Sequence, residues 1–233
     1  MSKSPIIVAL DHEDADSAIA LARQLDARQC QLKIGKGLFT RSGPAIVETL
    51  MTMGFAVFLD LKFHDIPNTV ALACKAAADL GVWMINVHCS GGLRMMQAAK
   101  NALAGRHNPP LLIGVTVLTS LAEEDLRQIG IDESPREMAG RLALLARRAG
   151  LDGVVCSAQE APLLRAQCGG EFLLVTPGIR LQSFDDDQRR ITTPSEAIRN
   201  GADYLVIGRP VTASNDPAGI LAATLADLKH AQH

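Results

Sequence analysis

The sequence predicts an α/β fold: an eightfold (β/α) barrel of the TIM type, built as a single domain over residues 1–233. Three observations lead there. Short runs of aliphatic and β-branched residues recur eight times, each followed by a stretch with helical spacing of apolar residues. The repeat is roughly thirty residues, close to that of a ~250-residue barrel of eight units. The runs are continuously apolar, as suits parallel strands covered on both faces. An open doubly wound sheet shares these features, but no Gly-x-Gly-x-x-Gly follows the first run, which counts against its dinucleotide-binding form.

The elements follow in order. The first strand is predicted over 6–10 and ends at Asp11; the helix behind it covers 15–25. A second strand, 31–35, carries Lys33. The next helix spans 44–53, with Ser42 and Gly43 near its start. The third strand, 55–61, contains Asp60. Pro67 suits the first turn of the helix at 68–80. Strand four is 83–88, and Gly91 and Gly92 break the chain before a helix at 93–103. Strand five, 111–118, ends in Thr119 and Ser120, and 121–131 reads as an irregular or short helical insert. Ser134 and Pro135 supply an N-cap and a first-turn proline to a helix reaching 149. Strand six (153–156), a helix (158–167) and strand seven (172–176) come next. Residues 180–190 are polar and read as a mobile loop, its run Asp185, Asp186, Asp187 being a solvated one. A short helix (195–200), strand eight (204–207) and a last helix (217–229) complete the pattern.

Composition narrows the function classes. Net charge is −2, which gives no support for nucleic-acid or anionic-membrane binding. Aromatics are 3%, too few for base-stacking platforms. No apolar run reaches the ~20 residues of a membrane span, and the first residues lack a signal-peptide layout. Cys30, Cys74, Cys89, Cys156 and Cys168 are odd in number and form no Cys-x-x-Cys pair, so free thiols in a cytoplasmic protein are expected. As lone cysteines in apolar runs they read as core fillers rather than nucleophiles.

The chemistry concentrates in Asp60-Leu61-Lys62-Phe63-His64-Asp65-Ile66-Pro67-Asn68-Thr69. Residues two apart on a strand share a face, so Asp60 and Lys62 point together, with Asp65 just beyond. Such charges at the end of a core strand are costly unless they pair or react. An ion pair capping a strand is the plain alternative. Polar residues also end other strands: Asp11, Lys33, His88, Thr119, Arg180 and Arg209. In a (β/α) barrel these ends open on one face, where active sites are built. Lys33, Asp60, Lys62 and Asp65 alternate in sign and sum to zero, so the array needs no excess charge and its protonation is coupled. Gly178-Ile179-Arg180 and Gly208-Arg209-Pro210 follow strands seven and eight, the usual phosphate position of this fold. There glycines admit an oxyanion to backbone N–H groups and arginine offers a donor fork. His64 and His88 are left out of the chemistry. No zinc-like ligand spacing and no Gly-x-Ser-x-Gly elbow is present.

These segments resemble the orotidine 5′-phosphate decarboxylases, which convert orotidine monophosphate to uridine monophosphate. The resemblance covers essentially the whole chain. It rests on residues 8–11, 32–35, 60–70, 115–120, 175–180 and 206–212, of which 60–69 is the most specific. It implies a cofactor-free enzyme of pyrimidine biosynthesis in which Lys62 donates a proton to C6 of the pyrimidine, with Lys33, Asp60 and Asp65 completing the charged array. Asp11 and Lys33 would hold the ribose hydroxyls, and Thr119, or Ser120 in its place, the base. Arg180, Gln188, Gly208 and Arg209 match ligand and phosphate positions. Asp65, Ile66 and Thr69 would reach a neighbouring subunit's site, which implies a homodimer with shared active sites. The sister barrels resembling 3-keto-gulonate 6-phosphate decarboxylase or hexulose-phosphate synthase share Asp-x-Lys-x-x-Asp. They use magnesium and carry a glutamate where this chain has Lys33, which would repel a divalent cation.

Overall fold

The computed structural model describes residues 4–180 and 192–230. In chain order the elements are β1 (Ile6–Leu10), α1 (Ala15–Ala22), β2 (Gln31–Gly35), α2 (Lys36–Ser42), α3 (Ala45–Thr52), β3 (Val57–Phe63), α4 (Pro67–Asp79), β4 (Met84–His88), α5 (Gly92–Leu103), β5 (Leu111–Val115), α6 (Glu123–Gln128), α7 (Pro135–Arg148), β6 (Gly153–Val155), α8 (Ala161–Cys168), β7 (Leu173–Thr176), α9 (Pro194–Arg199), β8 (Tyr204–Ile207), α10 (Arg209–Thr212) and α11 (Pro217–His230). The strands pair in sequence order and β8 closes on β1, all in parallel. This is the (β/α)8 barrel that the repeating pattern predicts.

Two apolar layers hold it. Inside the barrel, Ile7, Ala9, Phe58, Met84, Ile113, Val175 and Val206 fill the axis. Between sheet and helices lies the larger layer, which includes Ile6, Val8, Leu10, Leu32, Ile34, Leu59 and Ile85. Alternate residues of one strand thus serve the two layers, which is why β1 is buried along its whole length. All five cysteines are free and buried in the fold, and burial pushes the thiols of Cys30, Cys74, Cys89 and Cys156 up to about 12. They are core fillers, as their apolar context predicts.

Helix starts follow their local chemistry. Ser134 and Glu137 form a reciprocal capping box ahead of α7, and Thr193 and Glu196 do the same for α9. At the N-terminal end of the barrel, Asp152 precedes β6 and accepts the Leu112 N–H at 2.8 Å and the Lys100 ammonium at 2.7 Å. Asp203 precedes β8 and accepts the Leu174 N–H at 2.7 Å and Arg165 Nη2 at 2.6 Å. Each carboxylate supplies an acceptor to the N–H of the second residue of a neighbouring strand, β5 or β7. Gly153 is required where it stands, because a Cβ there would collide with the Leu173 carbonyl oxygen.

Candidate active site

The interior face of the barrel turns from apolar to charged toward the C-terminal ends of β1 to β4. Ala9 pairs with Lys33, and Lys33 with Phe58, so the Lys33 side chain enters the barrel between these two residues of the apolar interior. Asp60 stands two residues beyond Phe58 on the same face of β3. Both are nearly sealed, with side chains 11% exposed. Burial of two charges is tolerable because they pair. Asp60 Oδ2 lies 3.3 Å from Lys33 Nζ, and Asp60 Oδ1 lies 2.6 Å from Lys62 Nζ. Asp11, at the end of β1, meets Lys33 Nζ at 3.4 Å. Opposite charges therefore alternate along Asp11, Lys33, Asp60 and Lys62.

Lys62 occupies an unusual backbone conformation, with φ +52°; among the described residues it is the one non-glycine at positive φ. For an L-residue this costs on the order of 1–3 kcal/mol. The cause is a break in register between β3 and β4. Leu59 pairs with Ile85 and Phe63 with Val87, so residues 60–62 face Asn86 alone. The Lys62 N–H donates to Asn86 Oδ1 at 2.8 Å, and Asn86 Nδ2 donates to Asp60 Oδ1 at 2.6 Å. Asn86 is fully buried. The sequence reading missed it. Its signal was a polar residue in the apolar strand MINVH, with the inward parity of Met84.

Asp11, Lys33, Asp60, Lys62, Thr119, Gly178 and Gly208 line one cavity of about 290 Å³ at the barrel mouth, over Phe58, Val175 and Val206. Polar groups converging over an apolar floor are the usual form of a small-molecule site. Thr119 lines it and Ser120 does not. A larger cavity of about 770 Å³ opens alongside, shares Thr119 and Gly178, and contains none of the four alternating charges. Gly178 has φ +80°, a turn conformation natural to glycine. Beyond it, Ile179 bridges Thr192 and the Arg180 N–H donates to the Thr192 carbonyl. Gln188 falls outside the described residues. Arg209 opens the short α10 directly after Gly208 and is exposed.

Asp65 is apart from the array within this chain. It accepts its neighbour Ile66's N–H at 2.6 Å and, among the described residues, forms no ion pair. Asp65, Ile66 and Thr69 are all exposed, Ile66 by 65%. His88, at the end of β4, stacks obliquely on His64 with ring centroids 5.5 Å apart. Burial, with His64, Lys36 and Lys62 nearby and Asp60 opposing, pulls its imidazole down to about 4.

Comparison with known proteins agrees with this fold. A curated protein of Chromobacterium violaceum named orotidine 5′-phosphate decarboxylase is 60% identical over 226 residues, covering 97% of this chain and 92% of the relative. One of Pseudomonas aeruginosa with the same name is 61% identical over 228 residues, with 97% and 98% covered. The crystal structure of orotidine 5′-phosphate decarboxylase from Lactobacillus acidophilus matches with TM-score 0.87 at 36% identity, covering 97% of this chain and 99% of that one. The family model described as orotidine 5′-phosphate decarboxylase / HUMPS matches residues 4–223, and with relatives this similar along almost its entire length, the chain belongs to that family.

Proposed function

We propose that this chain decarboxylates orotidine 5′-monophosphate to uridine 5′-monophosphate and CO₂ in pyrimidine biosynthesis, without a metal and with Lys62 as proton donor. The relatives' shared name supports the reaction. The Lys33–Asp60–Lys62 chain at the cavity wall carries the mechanism. Breaking the bond from C6 to the carboxylate leaves its electron pair on C6, in the ring plane, where the π-system cannot spread it. An ammonium fixed beside that carbon stabilises the growing charge and then gives C6 a proton, leaving a neutral amine that recovers its proton from water.

Asp60 has two roles in this reading. It anchors the ammonium, and it stands where the substrate carboxylate must sit. At ~4 Å and an effective dielectric near 20, their repulsion is about 4 kcal/mol. Enzymic barrier reductions reach ~23 kcal/mol, so stabilisation of the carbanion by Lys62 is the larger contribution. Lys33 and Asp11 serve the ribose hydroxyls, Thr119 the base, and Gly208, Arg209 and Arg180, with Gln188, the phosphate. Binding energy from that remote phosphate helps seat and desolvate the reacting end.

Lys33 and Lys62 lie 3.3 and 2.6 Å from Asp60, and two ammonium groups there would repel a divalent cation. This favours the metal-free reaction over that of the magnesium-dependent sisters. We further infer a homodimer in which Asp65, Ile66 and Thr69, all exposed on this chain, complete the partner's site. The deciding experiment is an absorbance assay with orotidine monophosphate and chelator, no cofactor being added. Sustained turnover is expected. No turnover, or turnover lost to chelator and restored by magnesium, overturns the reading.

A further inference from the structure

The break in register between β3 and β4 removes the ordinary ladder partner from the Lys62 N–H. A side chain replaces it: Asn86 Oδ1 accepts that N–H at 2.8 Å, while Nδ2 donates to Asp60 Oδ1 at 2.6 Å. The same Asp60 oxygen accepts Lys62 Nζ at 2.6 Å. Asn86, the Lys62 backbone, the Lys62 side chain and Asp60 therefore close a ring. Only one orientation of the amide fits, since its reverse would set N–H against N–H and oxygen against oxygen. Both amide ends are satisfied in a side chain with no solvent exposure. The left-handed backbone of Lys62 persists because its surroundings hold it there.

We propose, on the reading of Lys62 as the proton donor, that Asn86 is a positioning residue that clamps the Lys62 backbone and Asp60 together and so aims the ammonium into the mouth cavity. A shorter side chain at this place frees the N–H and lets the backbone relax out of the left-handed region. The ammonium then swings from the fixed position that carbanion stabilisation needs. An apolar side chain of similar size fills the space but leaves the N–H unpaired.

Asn86→Asp tests the donor half separately. It keeps an acceptor for the Lys62 N–H but places a carboxyl oxygen at hydrogen-bond distance from Asp60. Two carboxyl groups so close cannot both stay charged and share a proton. The charged and titratable groups facing that pair are Lys33 from β2, Lys62 from β3 and His88 from β4, with Asp11 beyond Lys33.

The experiment measures kcat, KM, the pH profile, uridine-monophosphate binding and hydrogen exchange of the Lys62 amide in wild type, Asn86→Ala and Asn86→Asp. Asn86→Ala is expected to lower kcat about 100-fold, the scale of losing one aimed electrostatic group, with product affinity kept within about threefold. Its Lys62 amide exchanges at least about tenfold faster. Asn86→Asp is expected to show activity that climbs as the pH falls, a limb the wild type lacks. A kcat in Asn86→Ala within about threefold of wild type overturns the proposal, as does an Asn86→Asp profile superposable on wild type. If Asn86→Ala does not fold, the Asn86→Asp profile decides. If wild type itself fails to turn over, the proposed function falls, and Lys62 exchange alone judges the clamp: unchanged protection in the variants rejects it.

Discussion

The two ends of this barrel both carry ion pairs shielded from solvent, and they are wired differently. At the N-terminal end, Asp152 and Asp203 each hold a cation, Lys100 or Arg165, and a backbone N–H at the start of a neighbouring strand. Arg165 also donates to the carbonyls of Gly169, Gly170, Phe172 and Gly201. Those charges complete the hydrogen bonding of the sheet and its connections. At the C-terminal end, Asp60 receives, among the described residues, side chains alone: Lys33, Lys62 and Asn86. Its lysines face a cavity and connect no chain ends. A strand-end ion pair is thus read by its other partners. Carboxylates with backbone partners mark the structural bolts, and a carboxylate held by side chains beside open space marks the group we propose to be reactive.

The largest effect should come from cutting the open-end ring. Lys62→Ala is expected to lower kcat/KM by about 10⁴-fold or more, having lost both a general acid and an electrostatic stabiliser. Product binding should remain measurable in calorimetry and the melting temperature nearly unchanged. Near-normal turnover would make this cluster another bolt and erase the contrast.

Next comes sharing between subunits. Inactive Lys62→Ala and Asp65→Ala chains, mixed and allowed to exchange, should regain about a quarter of wild-type activity: half the dimers are mixed and each has one intact site. Exchange verified by mass with no recovery would remove Asp65 from the partner's site.

The closed end should respond in the opposite sense to Lys62. Arg165→Met is expected to cost about 3 kcal/mol and lower the melting temperature by roughly 6–12 °C, as for breaking a half-buried pair in a domain of this size. Folded enzyme should keep kcat/KM within about twofold. Lost activity at unchanged melting temperature would break the comparison.

The smallest effect is acidic. His88 is held neutral down to about 4, against an ordinary 6.5. Between those values the unfolded chain binds the extra proton, so stability is whole above pH 6.5 and falls as the pH drops toward 4. Discounted for partial exposure, the loss is about 1–2 kcal/mol. His88→Gln should flatten urea midpoints across that window; an equal slope would acquit His88.

How much was legible beforehand depended on whether side chains announced the backbone. Strands β1, β2 and β8 fall where their apolar runs predict, at Ile6–Leu10, Gln31–Gly35 and Tyr204–Ile207. Strand five ends at Val115, short of the predicted 118: Val117 and Leu118 stay apolar after the ladder ends, and Thr116 turns its hydroxyl to the Val155 carbonyl. The helix expected from 158 starts at Ala161, because Ser157 and Glu160 bind each other's backbone N–H in the turn before it. Helix α2 was missed; it begins Lys-Gly after a glycine N-cap that makes no side-chain bond. In the site, the resemblance pointed to Asp11, Lys33, Asp60, Lys62, Thr119 and Gly208, and all six line one cavity. Asn86 stayed hidden because its role arises from a register break, which no one strand's pattern encodes. The third strand lies at Val57–Phe63 rather than 55–61, and its extension to Phe63 rests on pairing that resumes after that break.

That register break also separates two demands on β3. Up to Leu59 the strand obeys the spacing that barrel closure imposes on its neighbours. From Phe63 it resumes pairing in a different phase. Asp60 keeps its place opposite Gly35 of β2, but toward β4 residues 60–62 belong to neither phase, so the direction of Leu61 and Lys62 is free of the register that β4 would impose. A scaffold tuned for rigidity and a lysine that we propose is tuned for direction can coexist on one strand, each set by a different stretch of it.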